Sequence, residues 1–297
     1  MQNNQSDFKP SALGSNADLQ AGVDIAKFMG GYFGNPANVL TLCEVGIKGI
    51  LTNLPKDLLY VDFGGGEGTL AKAVDTYLRD NEKNPDTIVV DSNPEFLKQA
   101  EAKGLKTELA NIESSKLENV DLATMRAVIH YNPQEKQLDL IKSVAAVLKP
   151  GGYLVHQVSS GSVPNVRLRS AIVNLKSLGR ANENEHYYWA AIDESLSLHQ
   201  QAGFSSVELV GYAPASKWGA VDQWNRMNGN KTRQAEAENN LVELENLAKR
   251  REVYLGEANN FMEQYLREYG AEESGVEKLS DGSYTIHYPY PVFVCRK

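Results

Sequence analysis

Leu58-Leu59-Tyr60-Val61-Asp62-Phe63-Gly64-Gly65-Gly66-Glu67-Gly68-Thr69-Leu70 decides the architecture of this chain. Its first four residues are a short apolar run that reads as a buried strand, and residues 70–78 place apolar side chains at helical spacing. A strand, a glycine turn and a helix in immediate succession form the first crossover of a doubly wound α/β sheet. The glycines have two uses there: they adopt backbone conformations that a side chain forbids, and they let a ligand approach the main chain.

Spacing separates the two ligand classes that use such a turn. Dinucleotide folds need G-x-G-x-x-G/A, which rests a pyrophosphate on the helix N-terminus. Counted from Gly64, the third position here is Thr69, which argues against an NAD-dependent oxidoreductase. Counted from Asp62, the stretch is D-x-G-x-G-x-G, through Gly64, Gly66 and Gly68. This resembles motif I of the class I S-adenosylmethionine-dependent methyltransferases. The resemblance implies a mostly parallel, seven-stranded Rossmann-like sheet with an antiparallel last strand. It also implies S-adenosyl-L-methionine as cofactor, held by Asp62, Gly64, Gly66 and Gly68.

Further landmarks follow at the family's spacing. A second strand, 86–91, ends in Asp91, whose carboxylate can accept both ribose hydroxyl hydrogens; Ser92 follows, and Pro94 sits where a helix begins. A third strand, 106–110, leads to Asn111 and Ile112. The family usually has an acid here on the adenine amino group, then an apolar residue on the ring; the Asn111 side-chain oxygen can still accept. Arg126, near the end of the fourth strand, joins the cofactor-side residues. His130-Tyr131-Asn132-Pro133 lacks the motif of adenine-methylating enzymes and looks like the hydrophobic-His-aromatic turn of O-methyltransferases and quinone-type methyltransferases. Lys149-Pro150-Gly151-Gly152 precedes a fifth strand at 153–158, and Ala202-Gly203-Phe204 precedes a sixth at 207–212. The last strand is placed at 283–295.

Around this core the chain divides into an N-terminal helical cap (1–55), the core itself (56–212 and 283–297) and a helical insertion (213–282). Gly30-Gly31-Tyr32-Phe33-Gly34 breaks the cap into at least two helices; by resemblance Tyr32 or Phe33 could cover the cofactor, and packing between helices is the alternative. A helix is expected at 166–178, before His186-Tyr187-Tyr188-Trp189. In the insertion a helical pattern over 232–269, fitting one long helix or a broken pair, carries Leu241, Leu244, Ala248, Leu255, Ala258, Met262, Tyr265 and Leu266. It leaves from the ligand-facing rim, so it is expected to be a lid over the acceptor or a dimer contact.

Composition narrows the partners. A net charge of −8 over 297 residues disfavours a polyanion, and Cys43 and Cys295 support neither a disulfide framework nor a cysteine metal site. No metal is expected. There is no membrane-length apolar run and no signal-peptide layout, so a cytoplasmic protein is expected, a possible homodimer acting on a small molecule and engaging neither nucleic acid nor membrane. A sulfonium is an activated methyl donor, so the protein's task is to align the acceptor and, for a hydroxyl or carboxyl acceptor, to take its proton. His130 is the first candidate base and His186 the second; His156 is assigned to sheet packing, His199 to a helix away from the rim and His287 to the last strand. Tyr131, Tyr187, Tyr188, Trp189 and Trp218 are the candidate acceptor walls. Carbon or nitrogen methylation, or a non-catalytic cofactor-binding role, are the alternatives to oxygen methylation.

Overall fold

The computed structural model describes residues 34–179 and 187–297. Tyr32, Phe33 and His186 therefore lie outside the described residues. The order is α1 (Pro36–Leu42), β1 (Asp57–Phe63), α2 (Thr69–Asp80), β2 (Asn84–Asp91), α3 (Pro94–Ala102), β3 (Lys106–Leu109), β4 (Val120–Arg126) and α4 (Gln134–Val147). There follow β5 (Leu148–Gln157), α5 (Val163–Val173), α6 (Ile192–Gln201), β6 (Ser206–Gly219), α7 (Ala220–Ala237), α8 (Leu241–Ser274), β7 (Val276–Lys278) and β8 (Tyr284–Arg296).

One sheet runs β3-β2-β1-β4-β5-β8-β6, with β7 beside β8. β1 to β5 pair in parallel, and β8 is antiparallel to both β5 and β6. The chain leaves β1 for β2 and β3, then returns to β4 on the other side. The crevice at the carboxyl ends of β1 and β4 is thus the switch point where open α/β sheets bind ligands. Helices cover both faces, so β4 is buried along nearly its whole length, with no polar alternation. On one face Tyr60, Leu122 and Val155 pack with α2 and the wing formed by α7 and α8; on the other, Phe63, Met125 and Leu154 pack with α4.

The structure corrects several expectations. The sheet has eight strands, because β7 forms a short hairpin with β8. β6 does not stop at 212: it runs to Gly219, pairing with β8 as far as Thr285 through two register shifts that bend it past the rim. Lys149-Pro150-Gly151-Gly152 lies inside β5, since Leu148 already pairs with Val120 and a bulge absorbs the glycines. The helix expected at 166–178 is α5 and a separate 3-10 turn, Lys176–Leu178. Of the two arrangements expected over 232–269, the broken pair is the one present: the helices divide at Asn239 (φ 51°), with the Asn240 side chain accepting from Glu243 N–H at 3.1 Å. The expected stripe lies wholly in α8, beyond that break: Ala258 and Met262 are buried and Leu255, Tyr265 and Leu266 pack half-buried against the core, whereas in the first turns Leu247 and Tyr254 are buried and Leu241, 75% exposed, and Ala248 face outward. No helix among the described residues is long and apolar enough to cross a membrane.

Candidate active site

The glycine turn is held by its own backbone. Gly64 and Gly65 N–H donate to the Val90 carbonyl at 2.8 and 3.2 Å, tying the tip of β1 to that of β2. Gly64, Gly66 and Gly68 have φ of 65°, 55° and 76°, the left-handed region that a side chain resists. Their surroundings differ. A Cβ on Gly64 would stand 2.5 Å from a Val128 methyl, and one on Gly68 would stand 2.5 Å from Leu105. A Cβ on Gly66 would meet nothing within 4 Å. Gly64 and Gly68 are close-packing positions, whereas Gly66 presents bare backbone to open space.

Two carboxylates flank that space. Asp91, at the end of β2, accepts from Gly66 N–H at 2.9 Å through Oδ2 and from Asn93 N–H at 2.8 Å through Oδ1. The same side chain thus shapes the turn and closes β2, with lone pairs left for further donors. Asp62, 1% exposed, accepts from the Thr124 hydroxyl at 2.7 Å through Oδ1, and Thr124 in turn meets the Tyr60 hydroxyl at 2.8 Å. Asp62 Oδ2 lies beneath Gly65 and has no hydrogen-bond partner. Burial pushes both carboxyls up from 3.8 to about 6; the Thr124 bond and the Arg126 charge restrain Asp62, and three backbone N–H groups restrain Asp91. Both are ionised near neutral pH, and each then retains acceptor capacity, Asp62 beneath Gly65 and Asp91 beside Gly66.

The turn after β4 brings the aromatic residues to the same place. Ala127 holds φ 54°, with its N–H on the Gln157 carbonyl at 2.9 Å, and this sharp turn lays Val128 against Gly64. Two residues on, His130 is 4% exposed and stacks on Trp189 with ring centroids 4.9 Å apart and planes 18° apart. Tyr131 lies 4.3 Å from the imidazole and Tyr187 meets Tyr131 edge-on at 5.2 Å. The His130 carbonyl accepts from Tyr188 N–H at 3.2 Å, which fixes this cluster to the β4 turn.

Other sequence candidates are placed differently. Tyr188 turns outward, its hydroxyl donating to Glu194 and the Arg167 guanidinium over its ring at 4.7 Å. Trp218 lies in the β6–β8 ladder opposite Ile286, 6% exposed. Asn111 is exposed, Ile112 packs in the core cluster with Phe63 and Val90, Ser92 is half-buried, and Arg126 ends β4. A cavity of about 170 Å³ between α1 and α2 is lined by Val39, Leu40, Cys43, Ala73 and Tyr77, and reaches the turn only at Thr69.

Three features escaped the sequence reading. Arg169 is 1% exposed; its guanidinium donates to Ser159 Oγ at 2.5 Å and the Ser160 carbonyl at 3.2 Å, and lies 4.1 Å from the Tyr288 ring centroid. Its signal was present, since Val166, Arg169 and Val173 occupy one helical stripe and the middle residue is charged. Gln157, the last residue of β5, is fully buried on the face shared with Tyr153 and Val155. His156, on the opposite face, meets His199 Nε2 at 2.8 Å, and burial holds His156 well below 6.5 and His199 down at about 4.

A family described as methyltransferase domain matches residues 40–209. No curated protein matches the sequence. Among solved structures, the YcgJ protein of Bacillus subtilis is 14% identical, with a TM-score of 0.58 over 88% of this chain and 97% of its own. The cyclopropane synthase MmaA2 of Mycobacterium tuberculosis is 12% identical, with a TM-score of 0.53 over 98% of this chain and 100% of its own. The mycolic acid cyclopropane synthase CmaA1, complexed with SAH and CTAB, is 14% identical, with a TM-score of 0.51 over 87% and 84%. At such identities the likeness is one of fold.

Proposed function

The chain belongs to the methyltransferase-domain family, and from that premise we propose that it methylates an oxygen of a small molecule, with His130 taking the acceptor's proton. S-adenosylmethionine is the cofactor of this reading, and when bound it supplies an activated methyl group. The glycine turn fits it. Gly66 has open space where a side chain would otherwise be, and Asp91 stands at the strand end with acceptor capacity for ribose hydroxyls. Asp62 Oδ2 is a buried acceptor suited to a cationic amino group. Ile112 and Asn111 are the adenine-side candidates.

One observation carries the reading: Val128 packs on Gly64, so the turn bearing His130 is built directly onto the cofactor turn. A base must lie within hydrogen-bond reach of the proton it removes, and His130 is placed among Trp189, Tyr131 and Tyr187 beside the crevice. The rings exclude water and orient a flat acceptor, which supports in-line approach. α8 packs against α5, and we assign the wing to the acceptor side as a brace for the pocket wall.

Calorimetric titration with S-adenosylhomocysteine, with NAD(H) as control, tests the premise. Binding of the former alone is expected; binding of NAD(H) alone would overturn it. Turnover with phenols and hydroxy acids, against amines of the same skeleton, then tests oxygen as the acceptor.

A further inference from the structure

Arg169 is the largest fully buried side chain among the described residues, and none of its partners is a carboxylate. Its Nη atoms bond the Ser160 carbonyl, the Asn165 side-chain oxygen at 3.4 Å and the Ser159 hydroxyl; the Tyr288 and Trp189 rings lie against it at 4.1 and 5.0 Å. These are all neutral. An ionised guanidinium is rarely buried without a counter-charge, because hydrogen bonds to neutral groups only partly replace hydration. Arg169 Nε–H has no acceptor at all.

The same corner holds further unmet donors. Trp189 Nε1–H, on the ring shared by His130 and Arg169, has no acceptor, and neither does the Gln157 side-chain amide N–H, two residues before Ser159. Buried polar groups are ordinarily paired, and three buried N–H donors lacking acceptors, on Arg169, Trp189 and Gln157, demand a reason. At β1 Asp62 Oδ2 is an unmet acceptor, and around β5 and α5 the unmet groups are the N–H donors of Arg169, Trp189 and Gln157, with the Gln157 side-chain carbonyl oxygen beside them. Donors around a guanidinium fit an oxyanion.

We propose that Arg169 anchors a carboxylate of the methyl acceptor, which makes the substrate a small hydroxy acid with its acid end at Arg169 and its hydroxyl at His130. The proposal rests on the methyltransferase reading of the rim. Trp189 sets the scale, since one indole touches both the imidazole and the guanidinium, so hydroxyl and acid belong to one compact skeleton. A carboxylate entering at Nε takes that N–H and shares Nη2–H with the Ser159 hydroxyl, the side-on geometry that guanidinium and carboxylate favour.

The test titrates full-length protein saturated with S-adenosylhomocysteine with 3- and 4-hydroxybenzoate, their primary amides and inorganic phosphate. At least one acid is expected to bind about tenfold or more tightly than its amide, and Arg169→Met should abolish that preference while leaving S-adenosylhomocysteine affinity unchanged. The proposal is overturned if no acid outbinds its amide, if phosphate binds more tightly than the acids, or if Arg169→Met retains the preference. If the Met variant does not fold, Arg169→Lys decides: it keeps the charge but loses the fork, so the acid preference must shrink. If wild-type protein fails to bind S-adenosylhomocysteine, the cofactor reading fails, and the acid-to-amide ratio measured without it still judges Arg169.

Discussion

Replacing Asp62 by Asn should make the protein more stable and bind its cofactor less well. Asp62 is isosteric with Asn, 1% exposed, and held up at about 6 chiefly by burial. The displacement from 3.8 to about 6 corresponds to about 3 kcal/mol that the folded state forfeits when this carboxyl is ionised. Asn removes that cost, weakens the charge-assisted bond from Thr124 by about 1 kcal/mol, and leaves an N–H₂ where Oδ2 stood. The expected net gain is about 1–2 kcal/mol near neutral pH, or a few degrees in Tm for a chain of this length. The pH dependence is the sharper mark. Between 3.8 and about 6 the folded protein keeps a proton on Asp62 that the unfolded chain has released, so the Asp62 contribution to wild-type stability falls as pH rises through that window. The advantage of Asp62→Asn should be small at about pH 4 and complete above about pH 6.5. Urea unfolding of both proteins across that range reads this directly, and calorimetry reads the loss of S-adenosylhomocysteine affinity. A variant less stable than wild type at neutral pH, or one whose advantage is the same at both ends, would refute the desolvation argument.

Four further outcomes are expected. Gly64→Ala should cost about 2–4 kcal/mol in chemical denaturation, because it combines a left-handed backbone with a clash at Val128, whereas Gly66→Ala should cost about 1–2 kcal/mol and lose most cofactor affinity. Asp91→Ala should abolish detectable S-adenosylhomocysteine binding by calorimetry; wild-type affinity in that variant would sink the ribose assignment. His130→Gln should lower turnover by about 10²–10⁴-fold with S-adenosylhomocysteine affinity unchanged, and equal losses in both would demote it to a packing residue. The buried His156–His199 pair is held below its ordinary range, so its stabilisation is full above about pH 6.5 and is lost as pH falls toward 4. His156→Leu combined with His199→Met should flatten that acid limb in thermal melts.

Much of the site was legible in the sequence because it is locally encoded. Asp62, Gly64, Gly66, Gly68 and Thr69 sit within eight residues, and the conformations they require are properties of a strand, a turn and a helix start in sequence. Asp91 was readable from its place at the end of a strand. Trp218 was not: a tryptophan after the sixth strand suits a loop or a ladder equally, and only the continued pairing with β8 put it opposite Ile286. Tyr188 reads like its neighbours Tyr187 and Trp189, yet Glu194 and Arg167 draw it outward.

The sequence by itself determined the doubly wound core, the glycine turn after β1 and the placing of an acid at the tip of β2, since each follows from backbone geometry over a few adjacent residues. Tertiary structure alone decided which distant side chains meet. Packing of α5 put Arg169 between Tyr288 and Trp189, the packing of α6 against the sheet joined His156 to His199, and the contact of Val128 with Gly64 brought His130 to the glycine turn. Those meetings depend on the register and twist of strands far apart in the chain, which no local spacing specifies.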